Sequence, residues 1–191
     1  MERKKIMIAV GSPRKKGNSS ILAKQVAAGA KAHGAAVKTF YLHEMKIKPC
    51  SACDACRRKG QVDCILNDDM RKLYPQLRKA DAIVVASPIY WFTLSAQTKL
   101  FMDRWYALGG AKGYADLAGK RFGLILTYAD ADPFVSGAVN ALRTFQDALN
   151  FIGGKIVGLV YGSACKAGEI QRNKGLMREA YKLGQKLAAE P

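Results

Sequence analysis

The sequence predicts a doubly wound α/β sandwich: five parallel strands in the order 2-1-3-4-5, with helices on both faces. Short apolar runs rich in β-branched residues alternate with longer helical patterns. Three of the runs are apolar almost throughout, as strands covered on both faces must be. With 191 residues, 49% of them hydrophobic, the chain can bury one sizeable core, so a single domain over 1–191 is expected.

The elements follow in order. MERKK imitates the basic start of a signal peptide, but the apolar run after it, IMIAV at 6–10, breaks at Gly11-Ser12-Pro13 and reads as the first strand. Asn18-Ser19-Ser20 supplies helix-capping residue types, and Leu22, Val26 and Ala30 share one face of a helix running to His33, which Gly34 ends. AVKTFYL at 36–42 is a second strand whose polar content suits a sheet edge. Asp68 or Asp69 caps a second helix through Lys79. AIVVAS at 82–87 is the third strand, and Ser95 caps a third helix through Arg104. RFGLILT at 121–127 is the fourth strand; Ser136 opens a fourth helix that reaches Phe151 and stops at Gly153-Gly154. KIVGLVY at 155–161 is the fifth strand, and Leu176, Ala180, Leu183 and Leu187 form the buried stripe of a last helix. No repeat, linker or low-complexity tract argues for a second domain.

Thirty-one Lys+Arg against fifteen Asp+Glu give a formal charge of +16. Such a surface attracts phosphates, acidic proteins or nucleic acid. The basic residues are spread along the chain and form no single arm or arginine-rich helix, which reads as a solvated basic surface; no recognition helix or RNA-binding motif supports a specific nucleic-acid partner. No stretch approaches the roughly 20 apolar residues of a membrane-spanning helix, so a soluble, cytoplasmic protein is expected. In that reducing compartment an odd count of five cysteines favours metal, cluster or reactive thiols over a disulfide framework.

In a sheet of this type the ligand lies beyond the carboxyl ends of the strands, at the switch point of strand order. The loop after strand one, GSPRKKGNSS, leads directly into a helix. Backbone N–H groups, the hydroxyls of Ser12, Ser19 and Ser20 and the Arg14 guanidinium could surround a phosphate there; a plain polar turn with a good helix cap is the other reading. Five residues separate Gly11 from Gly17 and Asn18 follows, which breaks the Walker pattern, and the dinucleotide fingerprint is absent. After strand three, SPIYWFTLSAQTKLFMDRW places Pro88, Tyr90, Trp91 and Phe92 at the same end of the sheet. So many aromatics in a loop fit either a ligand's flat ring or a packing contact. A phosphate at one loop and a planar ring at the next describe flavin mononucleotide, FMN.

Four of the five cysteines fall in CSACDACRRKGQVDC, residues 50–64, spaced C-x2-C-x2-C-x7-C. Three thiolates in a tight loop, with Cys64 returning through Gly60, could hold the four irons of a [4Fe–4S] cluster on Cys50, Cys53, Cys56 and Cys64. Free or redox-switching thiols, zinc, and simple packing are the other readings. Cys165, after strand five, reads as a small buried residue. Neither His33 nor His43 has a companion motif, so hydrolytic chemistry has little support.

Taken together, GSPRKKGNSS, the cysteine loop ending in NDDM, and SPIYWFTLSAQTKLFMDRW resemble the NADPH-dependent FMN reductase family of flavodoxin-like proteins, in its iron-sulfur flavoprotein branch. The resemblance covers residues 4 to about 160. It implies that Ser12, Arg14, Asn18, Ser19 and Ser20 bind the FMN phosphate. Pro88, Ile89, Tyr90, Trp91 and Phe92 would border the ribityl chain and ring, and the loop Thr127–Pro133, with Thr127 and Asp130, would flank the flavin from the other side. It further implies an FMN-dependent oxidoreductase that passes electrons from NAD(P)H or a ferredoxin-like donor to a small-molecule acceptor. Such proteins assemble as homodimers or homotetramers, with the segment around Asp103-Arg104-Trp105 as the assembly region. The alternatives are a cluster-free quinone, nitro or flavin reductase, and a non-enzymatic electron carrier of the flavodoxin type.

Overall fold

The computed structural model describes residues 3–58, 60, 61, 63–110 and 113–189; Lys59 and Val62 of the cysteine loop lie outside the described residues. Five strands, β1 (Lys5–Val10), β2 (Ala36–Tyr41), β3 (Ala82–Tyr90), β5 (Arg121–Tyr128) and β6 (Lys155–Ser163), form a parallel sheet in the order β2-β1-β3-β5-β6. This is the expected 2-1-3-4-5 order. A sixth strand, β4 (Thr93–Leu94), lies outside that path and turns back antiparallel on β3. It is two residues long, so it leaves no periodic signal in the sequence, and it forms because β3 runs three residues beyond its expected end at Ser87.

The strands separate two cores by their two-residue period. From β1, Ile6, Ile8 and Val10 join Val84 and Ile125 under α1 (Asn18–Ala32) and α5 (Lys174–Ala188). Met7 and Ala9 face the other way, with Ile83, Val85 and Leu124, under α2 (Met70–Lys79), α3 (Ala96–Asp103) and α4 (Ala138–Ile152). No helix of the described residues is long and apolar enough to cross a membrane.

The helix caps correct one expectation. Ser95 does cap α3, accepting from the Thr98 N–H, whereas α1 is entered from Gly17 with no side-chain cap, and Asn18, Ser19 and Ser20 form its first turn. At α2 the expectation holds for Asp68, whose carboxylate accepts from the N–H of Met70, the first helical residue, at 3.0 Å, while the Asp69 carboxylate takes the Lys46 N–H at 2.7 Å. In both places capping-type residues also serve contacts between loops, which local sequence does not reveal.

Candidate functional site

The loop from Gly11 to Gly17 closes around the Arg14 carbonyl, which accepts from Ser12 Oγ at 3.2 Å, Ser20 Oγ at 2.8 Å and the Gly17 N–H at 2.9 Å. Ser20 therefore shapes the loop, and it is completely buried. Asn18 has a different task. Its Nδ2 donates to the carbonyls of Ala164 (2.9 Å) and Lys166 (3.1 Å), and its Oδ1 accepts from the Ile170 N–H (3.3 Å). This clips the loop after β6 onto the loop after β1.

Ser19 remains. Its side chain is buried, with 1% exposure, and among the described residues its hydroxyl has no hydrogen-bond partner. An unmet buried hydroxyl costs about 1–3 kcal/mol. It lines a cavity of about 100 Å³ with Ser12, Arg14, Pro88, Thr127 and Cys165, at the start of a helix whose first-turn amides no side chain caps. A phosphate fits that donor set. The Arg14 side chain is exposed and forms no ion pair with the described residues, so it is available to an anion. Arg14→Ala is expected to weaken FMN retention about tenfold without unfolding the protein, because it removes one charge-assisted contact from a surface loop; equilibrium dialysis of FMN checks this. The expectation that Cys165 is buried is overturned. It is exposed and forms part of the cavity wall, because the 164–170 loop is drawn to this edge by Asn18.

A second cavity, of about 500 Å³, continues from the first through shared walls at Ile89, Tyr90, Tyr128 and Ala129, and adds Trp91, Phe92, Asp130 and Ser136. Its rim is a two-residue hairpin turn. Ile89 pairs with Leu94 and Tyr90 with Thr93, leaving Trp91 and Phe92 at the tip with φ of 46° and 63°. Both are left-handed, a conformation that disfavours a bulky L-residue by about 1–2 kcal/mol. The crevice is held from below by Ser95, whose Oγ donates to the Gly11 carbonyl at 2.9 Å while its N–H donates to Ser87 Oγ at 3.0 Å. Phosphate loop, β3 and α3 are thereby tied to one another.

The cysteine loop is pinned at its stems. Lys48 N–H donates to Asp68 at 3.0 Å, and Arg104 donates to both the Lys48 carbonyl (2.8 Å) and the Asp68 carboxylate. The side chains of Arg104 and Asp68 are each 1% exposed. Trp105, 4% exposed, packs edge-on to Phe101. Within the segment expected to serve assembly, Arg104 and Trp105 thus belong to the interior of this chain, whereas Asp103 and the adjoining Tyr106 are exposed. Farther out, the Arg57 guanidinium lies 3.9 Å over the Tyr106 ring, and Tyr106 OH donates to Asp54 at 2.9 Å. Cys50 and Cys53 are exposed, and Cys56 and Cys64 half-buried. The Ala55 N–H and the Ser51 side chain hold the Cys53 thiol below its usual range, whereas burial pushes Cys56 up. Among the described residues, no three cysteine, histidine or carboxylate side chains converge on a point that could hold a metal ion. A cubane takes each thiolate on a different iron and needs no such point; Cys56 lies near enough to Cys64 and Cys50 for their charges to raise its pKa further.

A doubly wound sheet with an anion cavity opening into an aromatic crevice at its switch point defines a mononucleotide-binding protein of flavodoxin type. The sequence matches the family described as NADPH-dependent FMN reductase over residues 4–169, and the chain belongs to that family as an FMN-dependent oxidoreductase. An iron-sulfur flavoprotein of Archaeoglobus fulgidus is 32% identical over 181 residues, 94% of this chain and 76% of that protein. A second iron-sulfur flavoprotein, from Methanosarcina thermophila, is 38% identical over 94 residues, about half of each chain (49% and 48%). A putative NAD(P)H-dependent FMN-containing oxidoreductase of Bacillus subtilis is 25% identical over 182 residues, 94% of this chain and 96% of its own. Among solved structures, an NAD(P)H:quinone oxidoreductase from Methanothermobacter marburgensis superposes with a TM-score of 0.78 at 16% identity, over 100% of this chain and 98% of that one, a likeness of fold.

The loop after β6 was missed in the sequence. Ala164, Cys165 and Ala167 close the phosphate cavity. The available signal was the rule that every parallel strand ends at the same edge, which applies to the last strand as to the first four.

Proposed function

We propose that this protein transfers electrons from NAD(P)H, or from a ferredoxin-like donor, through bound FMN to a small-molecule acceptor, as a homo-oligomer in the cytoplasm. The observation that carries this reading is the orphaned Ser19 hydroxyl at one end of a crevice whose other end is aromatic. FMN would supply the hydride and single-electron chemistry. Ser12, Arg14 and Ser19 would hold its phosphate, with Asn18 and Ser20 keeping that loop in shape. Pro88, Ile89 and Thr127 would line the ribityl passage, and Tyr90, Trp91, Phe92 and Asp130 the ring end.

The finer assignment is a [4Fe–4S] cluster on Cys50, Cys53, Cys56 and Cys64. Its support is the C-x2-C-x2-C-x7-C spacing and the names borne by the Archaeoglobus and Methanosarcina relatives. A cluster-free NAD(P)H reductase is the second reading, supported by the putative NAD(P)H-dependent FMN-containing oxidoreductase of Bacillus subtilis among the relatives.

Purification without oxygen separates the two. FMN should be released on denaturation in either case, and a folded protein that takes up no FMN would defeat both. About four irons and four acid-labile sulfides per chain would mark the cluster form. Cys53→Ser should then abolish the cluster absorbance while leaving FMN bound; absence of iron after anaerobic reconstitution would leave the cluster-free reductase.

A further inference from the structure

Cys165 is exposed, yet it lines the cavity of about 100 Å³ together with Ser12, Arg14 and Ser19. The backbone around it is fixed on every side. The Ala164 N–H donates to the Tyr128 carbonyl at 2.7 Å, and the carbonyls of Ala164 and Lys166 accept from Asn18 Nδ2 at 2.9 and 3.1 Å. The N–H groups of Cys165 and Lys166 both donate to Glu169 Oε2 at 2.8 Å. The thiol therefore stays at the cavity wall, and any group attached to its sulfur must occupy the cavity or its mouth. A second observation, independent of the cysteine, marks the same cavity as a place for a ligand. The buried Ser19 hydroxyl that lines it has no partner among the described residues.

The charges beside the thiol select what reacts there. Arg14 lines the same cavity, exposed and without an ion pair among the described residues, and Lys166 is exposed one residue beyond Cys165. The nearby Glu169 carboxylate is taken up by backbone N–H groups. A cationic mouth concentrates anionic reagents. We propose that Cys165 is a thiol-modification site: its mixed disulfide with a small anionic thiol of the glutathione class keeps FMN out, and bound FMN in turn shields the thiol. In the exchange the Cys165 thiol loses its proton to solvent and its thiolate attacks one sulfur of the anionic disulfide. A new S–S bond forms as the old one breaks, Cys165 is oxidised, and the other sulfur is reduced and leaves as the small thiolate. The attached carboxylates compete for Arg14, the charge that the FMN phosphate would use, and a cavity of this size does not hold both groups. On the FMN reading above, which this proposal presupposes, the chain gains a redox state in which it refuses its cofactor.

Two measurements test it. In the first, apoprotein and FMN-loaded protein are treated with glutathione disulfide, the remaining thiols are alkylated, and peptide mass spectrometry follows Cys165. Bound FMN should slow its modification about tenfold or more, by denying the disulfide access. In the second, FMN is titrated by fluorescence into untreated and disulfide-treated protein. Treated wild type should bind FMN about tenfold or more weakly and recover with dithiothreitol, whereas treated Cys165→Ser should stay within about twofold of its own untreated affinity. That variant keeps all four cysteines of the 50–64 loop, so it separates Cys165 from them. If Cys165→Ser fails to fold or to hold FMN, Cys165→Ala supplies the comparison. A Cys165 that does not react in the apoprotein, or reacts equally fast with FMN bound, would overturn the proposal. So would treated wild type that binds FMN as tightly as untreated, or an equal loss in wild type and variant, which would place the effect in the 50–64 loop. An untreated wild type that takes up no FMN would instead overturn the underlying FMN reading, and the titration shows this before any disulfide is added.

Discussion

Ser19→Asp is expected to give a folded protein that no longer holds FMN. The Ser19 hydroxyl is buried and unpartnered at the place where the phosphate would sit. A carboxylate there puts like charge against the phosphate in a poorly hydrated site, which costs several kcal/mol and lowers affinity about a hundredfold or more. The same carboxylate suits the apo fold, because an acidic side chain in the first turn of α1 meets uncapped amides and the positive end of the helix dipole. Loss of FMN together with an unchanged or raised melting temperature of the apoprotein is therefore the signature. Fluorescence titration with FMN measures the affinity; stoichiometric binding by Ser19→Asp would show that the phosphate lies elsewhere.

Arg104→Met is expected to be the most destabilising of the single changes considered. It leaves the Asp68 carboxylate buried without its cation, and breaking such a pair costs about 3–5 kcal/mol, or roughly 10 °C in Tm for a chain of this length. Replacing both partners, Arg104→Met with Asp68→Leu, should recover part of that loss, although the Lys48 and Met70 N–H groups that Asp68 accepts from would then lack a partner. Burial by itself would raise the Asp68 pKa, but the Arg104 guanidinium and the Lys48 and Met70 N–H groups outweigh it and hold the carboxyl below its usual value. A folded-state value below the unfolded one means the contribution is complete above about pH 4 and is lost as pH falls through the folded value. In Arg104→Met burial loses its main opponent, so acid unfolding should begin at higher pH than in wild type. Denaturant melts at pH 7 and across the acid range check both points, and a loss below about 1 kcal/mol at pH 7 would mean the pair contributes little.

The sheet was legible in the sequence because its central strands are apolar on both faces, a pattern no surface element shares, and the order followed from the edge-like polarity of residues 36–41. The phosphate loop and the aromatic loop were legible as neighbours because each directly follows a strand of that sheet. The division of labour within the loop was not. Asn18, Ser19 and Ser20 look alike as capping residues, yet one clips a loop 146 residues away, one has no partner among the described residues and one holds a carbonyl. The burial of Arg104 was hidden for a related reason: an arginine at the end of a helix carries no local sign of its partner, and only the position of Asp68 across 36 residues shows it to be interior. The left-handed tip of the β3–β4 turn was hidden because its residues are the opposite of those the geometry favours.

The clip between Asn18 and the 164–170 loop bears on the order of events during synthesis. The phosphate loop follows β1 and leaves the ribosome early, but Ala164, Cys165 and Ala167, which wall its cavity, come some 150 residues later. Central β1 likewise lacks its β3 neighbour until residue 82 has been made. Non-local pairings of this kind form slowly. A nascent chain released before β6 therefore has a phosphate loop with one side open, and cofactor capture becomes a late event that marks a finished fold. Truncated chains stalled ahead of residue 164 should fail to retain FMN even where the first three strands have formed.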